Sequence, residues 1–377
     1  MLGLGEVRRA LADAAETTRG RQLALSLEPS KDAAVVRERL AQTSDARRVL
    51  DEGELVALHD LPDIDEAVAR MAIEGRALDV PLLLELARFA QVSERARGAL
   101  RRLGDSAPTL AILREGLPPL DSVASSIDAV VDADAGEVRD RASDELLKLR
   151  RGLQRARREL GRVIDRTLAS RDVQKLLQEP LVTTRGGRSV LPVKAECKSQ
   201  FPGIAHGASS SGATVFVEPM AAVAIGNEIA ELTDREAQEV RRVLLELTAR
   251  IRPERDALDE ASRVLGELDR IQAKARLSEA QAAAEPQLSL DELDLVDARH
   301  PLLAEPVPLS FSLTGGRRGL VFTGPNTGGK TVALKTAGLL CLMALCGLHL
   351  PADPTTTVPI LASVFADIGD DQSLASN

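Results

Sequence analysis

Three features of the sequence predict a mainly α fold that leads into the start of an α/β domain. Long proline-free stretches keep apolar residues at helical spacing. A short island between two of them switches to β-branched residues around Gly-Gly. A Gly-rich phosphate-binding pattern followed by an apolar helix lies near the end of the 377 residues. The composition agrees. With no Trp, no Tyr and six Phe, the cores must be built from Leu, Val, Ile and Ala. The 28% of charged residues suits long helices with charged surfaces.

Residues 1–136 read as a compact domain of short amphipathic helices separated by breakers: Glu28-Pro29-Ser30, Leu61-Pro62-Asp63, Asp79-Val80-Pro81 and Leu117-Pro118-Pro119-Leu120. Ser30 to Leu40 offers a capped helix, and Pro81 sits where a helix accepts proline, at its first position. Glu137 to Leu177 has no proline and spaces Leu146, Leu149, Leu153, Leu160, Ile164 and Leu168 as one helix face. This predicts a rod of roughly 60 Å. Its middle is basic: between Lys148 and Arg171 nine Lys and Arg face only Glu159 and Asp165. Two readings stay open for Arg155, Arg157, Arg158, Arg162 and their neighbours, a solvated helix face or contact with a phosphate backbone.

At 180–218 the period changes. Leu181 to Arg185 and Arg188 to Lys194 flank Gly186-Gly187 as a hairpin, the Gly- and Ser-rich stretch from Gly203 to Gly212 reads as a loop, and Ala213 to Glu218 reads as a strand. Arg185, Arg188 and Lys194 would decorate this β-element as further candidates for phosphate contact. Phe216-Val217-Glu218 reads as core packing with one outward carboxylate. Met220 to Glu285 resumes helix, interrupted near Pro253, so 137–285 makes two long helices of opposite direction with a small β-containing tip. A β-rich stretch, Leu288 to Leu313, then leads to the phosphate pattern.

That pattern is Gly324-Pro325-Asn326-Thr327-Gly328-Gly329-Lys330-Thr331, a G-x-x-x-x-G-K-[ST] loop. Gly319-Leu320-Val321-Phe322 before it reads as a short buried strand, and Thr331 to Leu350 after it as a helix. Strand, loop and helix N-terminus together bring backbone N–H groups onto phosphate. Lys330 would reach the β- and γ-phosphates of ATP, and the Thr331 hydroxyl would ligate Mg²⁺.

Other chemistry is largely excluded. A net charge of −9 argues against a uniformly basic nucleic-acid coat. Cys197, Cys341 and Cys346 form no zinc spacing, and the last two lie in an apolar helix as inert thiols. The N-terminus has no signal-peptide core, and Ala337 to Leu348 is too short to span a bilayer. The expectation is a cytoplasmic protein with no membrane partner.

Ala298-Arg299-His300-Pro301-Leu302-Leu303, followed by Thr323-Gly324-Pro325-Asn326-Thr327-Gly328-Gly329-Lys330-Thr331, resembles the ATPase entry of the DNA mismatch-repair family MutS. Three stretches resemble its MutS-two subfamily in particular: Leu27-Glu28-Pro29-Ser30, Arg188 to Glu196, and Ser209 to Pro219. Phe365 to Ser373 fits the same branch. The resemblance implies a helical core (1–136), two long lever helices with a small β-containing tip (137–285), and a truncated α/β P-loop ATPase head of the ABC type (286–377). It further implies an ATP-dependent homodimer that binds branched DNA and suppresses recombination, and a role in sensing and splitting collided ribosomes through rRNA. The subfamily's C-terminal Smr nuclease domain and the Walker B acids are not in this sequence, so the chain reads as an N-terminal fragment, inactive alone. Asp367, Asp370 and Asp371 read as a solvated loop rather than metal ligands. His300 and Phe311 are candidates for the adenine contact through proximity in sequence alone. The alternative is a non-catalytic helical DNA- or RNA-binding module with an incomplete ATPase head.

Overall fold

The computed structural model describes residues 2–323 and 329–367. Its helices are α1 (Leu4–Asp13), α2 (Thr18–Leu25), α3 (Ala33–Asp51), α4 (Asp65–Met71), α5 (Val80–Leu103), α6 (Pro108–Ala111), α7 (Asp121–Asp128), α8 (Asp144–Ala169), α9 (Arg171–Leu176), α10 (Met220–Ile251), α11 (Arg255–Ala280) and α12 (Lys330–Leu345). Its strands are β1 (Val131–Asp132), β2 (Glu137–Val138), β3 (Thr183–Arg185), β4 (Arg188–Lys194), β5 (Gly203–Ala208), β6 (Thr214–Pro219), β7 (Gln287–Ser289), β8 (Leu293–Ala298), β9 (Leu309–Leu313) and β10 (Thr357–Pro359). The protein is therefore mainly α with small sheets. It divides into two units: Met1–Ala72, Glu85–Ser125 and Pro253–Asn377 form the first, and Ile73–Leu84 with Ser126–Arg252 the second.

In the first unit, α1, α11 and α12 meet β8 and β10 around Val7, Leu11, Ala273, Leu339, Met343 and Val358. Aliphatic side chains fill this core, as the lack of Trp and Tyr requires. α3 begins after Asp32, whose carboxylate accepts the Ala34 N–H, so the cap lies two residues beyond Ser30. At 19 and 24 residues, α3 and α5 are longer than the short helices expected here. The sheet has the order β7-β10-β8-β9, with β10 parallel to β7 and antiparallel to β8.

Residues 319–322 do not form the expected strand. No described strand supplies them with a ladder, and Val321 is 83% exposed. An extended segment without a neighbour leaves its backbone groups to water, and the apolar pattern alone does not make it a strand. The helix after the loop is borne out but ends at Leu345, not Leu350.

In the second unit the predicted 137–177 rod is divided. Residues 137 and 138 pair with Val131 and Asp132, and α8 begins after Ser143, whose hydroxyl accepts the Leu146 N–H. At Ser170 the backbone turns extended (ψ 120°) and separates α8 from α9. The 26 residues of α8 span about 39 Å. α8 and α10 run antiparallel: Leu146 shares a cluster with Val243 at one end, and Ile164 shares one with Ala222 at the other. Between α9 and α10 lies a four-stranded sheet of order β3-β4-β6-β5. Its hairpin is as expected, with Gly186 and Gly187 both left-handed (φ 56° and 76°), as a two-residue type I′ turn demands. The Gly- and Ser-rich stretch at 203 is not a loop throughout. Gly203 to Ala208 form β5 against β6, through a register shift between Ala205 and Ala208.

Candidate functional site

Of the phosphate-loop residues, Gly324, Pro325, Asn326, Thr327 and Gly328 lie outside the described residues. The described part begins at Gly329, left-handed at φ 76° in the position before α12. Lys330 and Thr331 open the helix, half-buried and exposed respectively. The positive end of the helix dipole here favours an anion. Beside them is a cavity of about 500 Å³. Lys330, Gly329 and His300 line one part of it, while Pro306, Val307 and Phe322 give it an apolar wall. Burial, helped by the nearby Lys335, holds the His300 imidazole below its usual pKa, so it is neutral at pH 7. Its Nδ1 accepts the Leu302 N–H at 3.3 Å. Phe311 does not line the cavity; it packs edge-on behind Phe322, with ring centroids 5.5 Å apart. His300 is thus placed to touch a ligand, and Phe311 to steady the wall.

The residues present fit a nucleotide with its metal. The helix N-terminus and Lys330 suit phosphate, and Thr331 offers one hydroxyl oxygen to Mg²⁺, a cation that keeps most of its other ligands from phosphate and water. Among the described residues no group of three or more His, Cys, Asp or Glu could hold a metal ion; Asp367 is exposed, and Asp370 and Asp371 lie outside the described residues. Cys341 and Cys346 are buried and their thiols pushed up to about 11, so they are inert at neutral pH.

The seven basic candidates of the second unit divide by partnership. Arg155, Arg157, Arg158 and Arg162 on α8 are exposed, and none has an acidic partner among the described residues. With Arg151 and Arg166, which are also exposed, the residues 151, 155, 158, 162 and 166 recur every three to four positions and form one stripe. Arg157 points more than a quarter-turn away from it. Arg150, by contrast, is drawn inward: it binds Glu236 at 2.7 Å and Asp140 at 2.6 Å.

In the tip sheet Arg185 is exposed and lies over the Phe216 ring, 4.4 Å from its centroid. Arg188 instead faces Glu218 (3.5 Å), and Lys194 donates to the Lys175 carbonyl at 3.2 Å. Glu218 is not the outward carboxylate that the alternation of β6 suggested. It is 2% exposed and also bonds His206 Nε2 at 2.8 Å. The partners that keep it inside come from β4 and β5, which the alternation of β6 alone cannot reveal.

Residues 320–377 match the family described as MutS domain V. Over 375 residues, 99% of this chain, the sequence is 40% identical to the Endonuclease MutS2 of Symbiobacterium thermophilum. It is 39% identical over 98% of its length to that of Pelotomaculum thermopropionicum, and 37% identical over 99% to that of Clostridium perfringens. Over almost its whole length the chain is similar to proteins of the MutS2 family. It spans about half the length of these relatives, 47 or 48%. No described helix is long and apolar enough to cross a membrane.

The sequence reading missed the polar groups that hold α12 from behind. Lys274 of α11 is 1% exposed, and its Nζ donates to Cys346 O at 2.8 Å. His349 lies between the hydroxyls of Ser44 and Ser278, at 2.9 Å from each. Burial pushes its imidazole down to about 4. No motif marks either residue; each is defined only by its neighbours in space. The segment Leu27-Glu28-Pro29-Ser30, which the sequence singled out without explaining, reaches the same place. The Ser30 N–H donates to Leu345 O at 3.0 Å.

Proposed function

We propose that the chain forms the nucleotide-binding and nucleic-acid-binding part of an ATP-dependent homodimer of the MutS2 type. Lys330 and Thr331, with the loop residues Gly324 to Gly329, take the triphosphate and its Mg²⁺. The apolar wall at Pro306 and Val307, beside His300, takes the base. The observation that carries the reading is Lys330 and Thr331 opening α12 beside a cavity with one basic side and one apolar side. Domain order extends it: residues 1–136 form the core, 137–285 act as levers with the tip at 180–218, and 286–377 begin the ATPase head. Nucleotide state at the head biases the levers, and the arginine stripe on α8 meets a phosphate backbone, that of branched DNA in the suppression of recombination. Ribosomal RNA in collided ribosomes presents the same backbone chemistry. Endonuclease activity, carried in the name of the relatives, is proposed for the intact protein and not for this part alone.

Replacing Lys330 by Ala in the intact protein should weaken ATP binding at least tenfold and abolish turnover, measured with a fluorescent ATP analogue and by phosphate release. Normal affinity and turnover in K330A would sink the assignment. A second reading, a helical module that binds DNA or RNA without turnover, is favoured by the exposed, unpaired segment at 319–322. Four-way DNA junctions and ribosomes offered to the intact protein with and without ATP separate the two readings. Binding that ignores ATP supports the module.

A further inference from the structure

α12 carries Lys330 and Thr331 on its first turn, and its last turn is held more completely than a helix end requires. Gly347 takes the left-handed backbone (φ 72°) and closes a Schellman cap. Its N–H donates to Ala344 O at 2.8 Å, and the Leu348 N–H donates to Met343 O at 3.0 Å. The Cys346 N–H reaches Leu342 O at 3.1 Å, and the Ser30 N–H reaches Leu345 O at 3.0 Å. These bonds already satisfy the four carbonyls that a helix end leaves orphaned. Two side chains then grip the next two carbonyls. Lys274 Nζ lies 2.8 Å from Cys346 O and 3.3 Å from Gly347 O. The Thr43 hydroxyl of α3 lies 2.7 Å from Gly347 O and 2.9 Å from Arg39 O, with one hydrogen to share between them.

A lysine in this place is costly. It is surrounded by a core in which an aliphatic side chain would pack without desolvating an amine. Burial pushes its pKa well down, and a neutral amine still has two N–H groups, one for each carbonyl. What the lysine supplies is direction. The apolar contacts of Leu339, Leu340 and Met343 resist separation of α12 from the core, but they are non-directional and tolerate sliding. Hydrogen bonds from α11 to Cys346 O and Gly347 O fix where the helix sits along its axis. The 16 residues of α12 make a rod of about 24 Å, and a slip at one end of a rigid helix arrives undiminished at the other.

We propose that Lys274 is a positioning residue for the phosphate loop, fixing the axial register of α12 so that Lys330 and Thr331 meet the triphosphate and its magnesium ion. The proposal rests on the nucleotide reading above. Its test is K274M, similar in length and without N–H groups, alongside T43V, which removes the other grip on Gly347 O. Both are made in the intact protein and assayed for ATP turnover, fluorescent ATP-analogue binding and thermal unfolding.

Misplacement of about 1 Å weighs on the transition state more than on ground-state binding. K274M should therefore lower kcat by about tenfold or more while KM for ATP moves by less than about threefold, and T43V should do the same more weakly. A lower melting temperature with unchanged kcat and KM in both variants would mean that Lys274 only stabilises the core, and overturns the proposal. If K274M does not fold, T43V decides alone, and an unchanged kcat again overturns it. Failure of the unsubstituted protein to bind the ATP analogue defeats the nucleotide reading and this proposal together. Binding and turnover that neither substitution disturbs defeats this proposal only.

Discussion

α8 and α11 are each 26 residues long and rich in charge, yet they treat that charge in opposite ways. On α11 sixteen residues are buried, among them Asp269, Arg270, Gln272, Lys274 and Ser278; on α8 only six are buried and none is charged. The inward polar groups of α11 are bonded to partners inside the protein, Arg270 to the Glu267 carboxylate and Ser278 to His349. Asp269 accepts from the Thr17 N–H, the Thr17 hydroxyl and the Glu16 N–H at 2.7, 2.7 and 3.1 Å, and Gln272 both donates to and accepts from the Val56 backbone. The outward arginines of the α8 stripe have no acidic partner among the described residues. A polar group whose partners are all internal belongs to the fold, whereas a row of cations without partners is left for a ligand or for water. Partnership, rather than charge, separates the two roles.

The largest test of that division is at Asp269. Replacing it with Ala strips the acceptor from two backbone N–H groups and one hydroxyl in a dry site, and leaves Arg276, 3.6 Å away, without that carboxylate. A loss of about 3–5 kcal/mol is expected in denaturant unfolding. A loss under about 1 kcal/mol would break the claim that α11's charges are structural.

His349, which bonds Ser278 of α11, gives the next effect, confined to acid. Its folded pKa, about 4, lies below the ordinary 6.5 because burial disfavours the imidazolium, and Arg47 and Lys274 add to this. Between those values the unfolded chain binds more protons than the folded one. Stability is therefore fully present above about pH 6.5 and falls as pH drops towards 4, by up to about 3 kcal/mol. H349Q, which keeps a hydrogen-bonding head without titrating, should flatten that part of the pH–stability curve. An unchanged slope would place the acid sensitivity elsewhere.

Within α8 itself the same logic predicts a contrast of neighbours. Arg150 is 16% exposed and bonded to Glu236 and Asp140, so R150A should cost about 1–2 kcal/mol. Arg151, one residue on and exposed, should cost under about 0.5 kcal/mol when changed to Ala. Equal costs, read from chemical denaturation, would erase the distinction.

These neighbours show what was legible in the sequence. Apolar spacing located α8, α10, α11 and α12, and Gly186-Gly187 located the tip hairpin, because helix period and turn chemistry are local properties. The loop pattern located Lys330 and Thr331 for the same reason. What sequence could not deliver depends on contacts distant along the chain. Leu320 and Val321 look like a buried strand, but a strand exists only with a neighbour to pair with. Gly203 to Ala208 look like a loop until β6 lies beside them. Glu218 alternates outward on β6, yet Arg188 and His206 arrive from two other strands to hold it inside. Lys274 looks like one more exposed lysine on a charged helix, and its acceptors lie 72 and 73 residues further on.

The smallest effect on stability belongs to the stripe, and it is the sharpest test of the comparison. Changing Arg155, Arg158 and Arg162 to Gln together removes three charges that have no acidic partner among the described residues. Thermal unfolding should therefore move by no more than an ordinary surface change, about 0.5 kcal/mol or less per site. Nucleic-acid binding should change far more. Each arginine that neutralises a phosphate adds about 0.9 to the slope of log affinity against log salt on duplex DNA. The triple variant should flatten that slope by about 3 and weaken binding most at low salt. Arg157, off the stripe, serves as the internal control, and R157Q should leave the slope within error of the parent. If the triple variant keeps the parent's slope and affinity, these arginines are a solvated face. Lack of an internal partner would then no longer be grounds for expecting an external one on this helix.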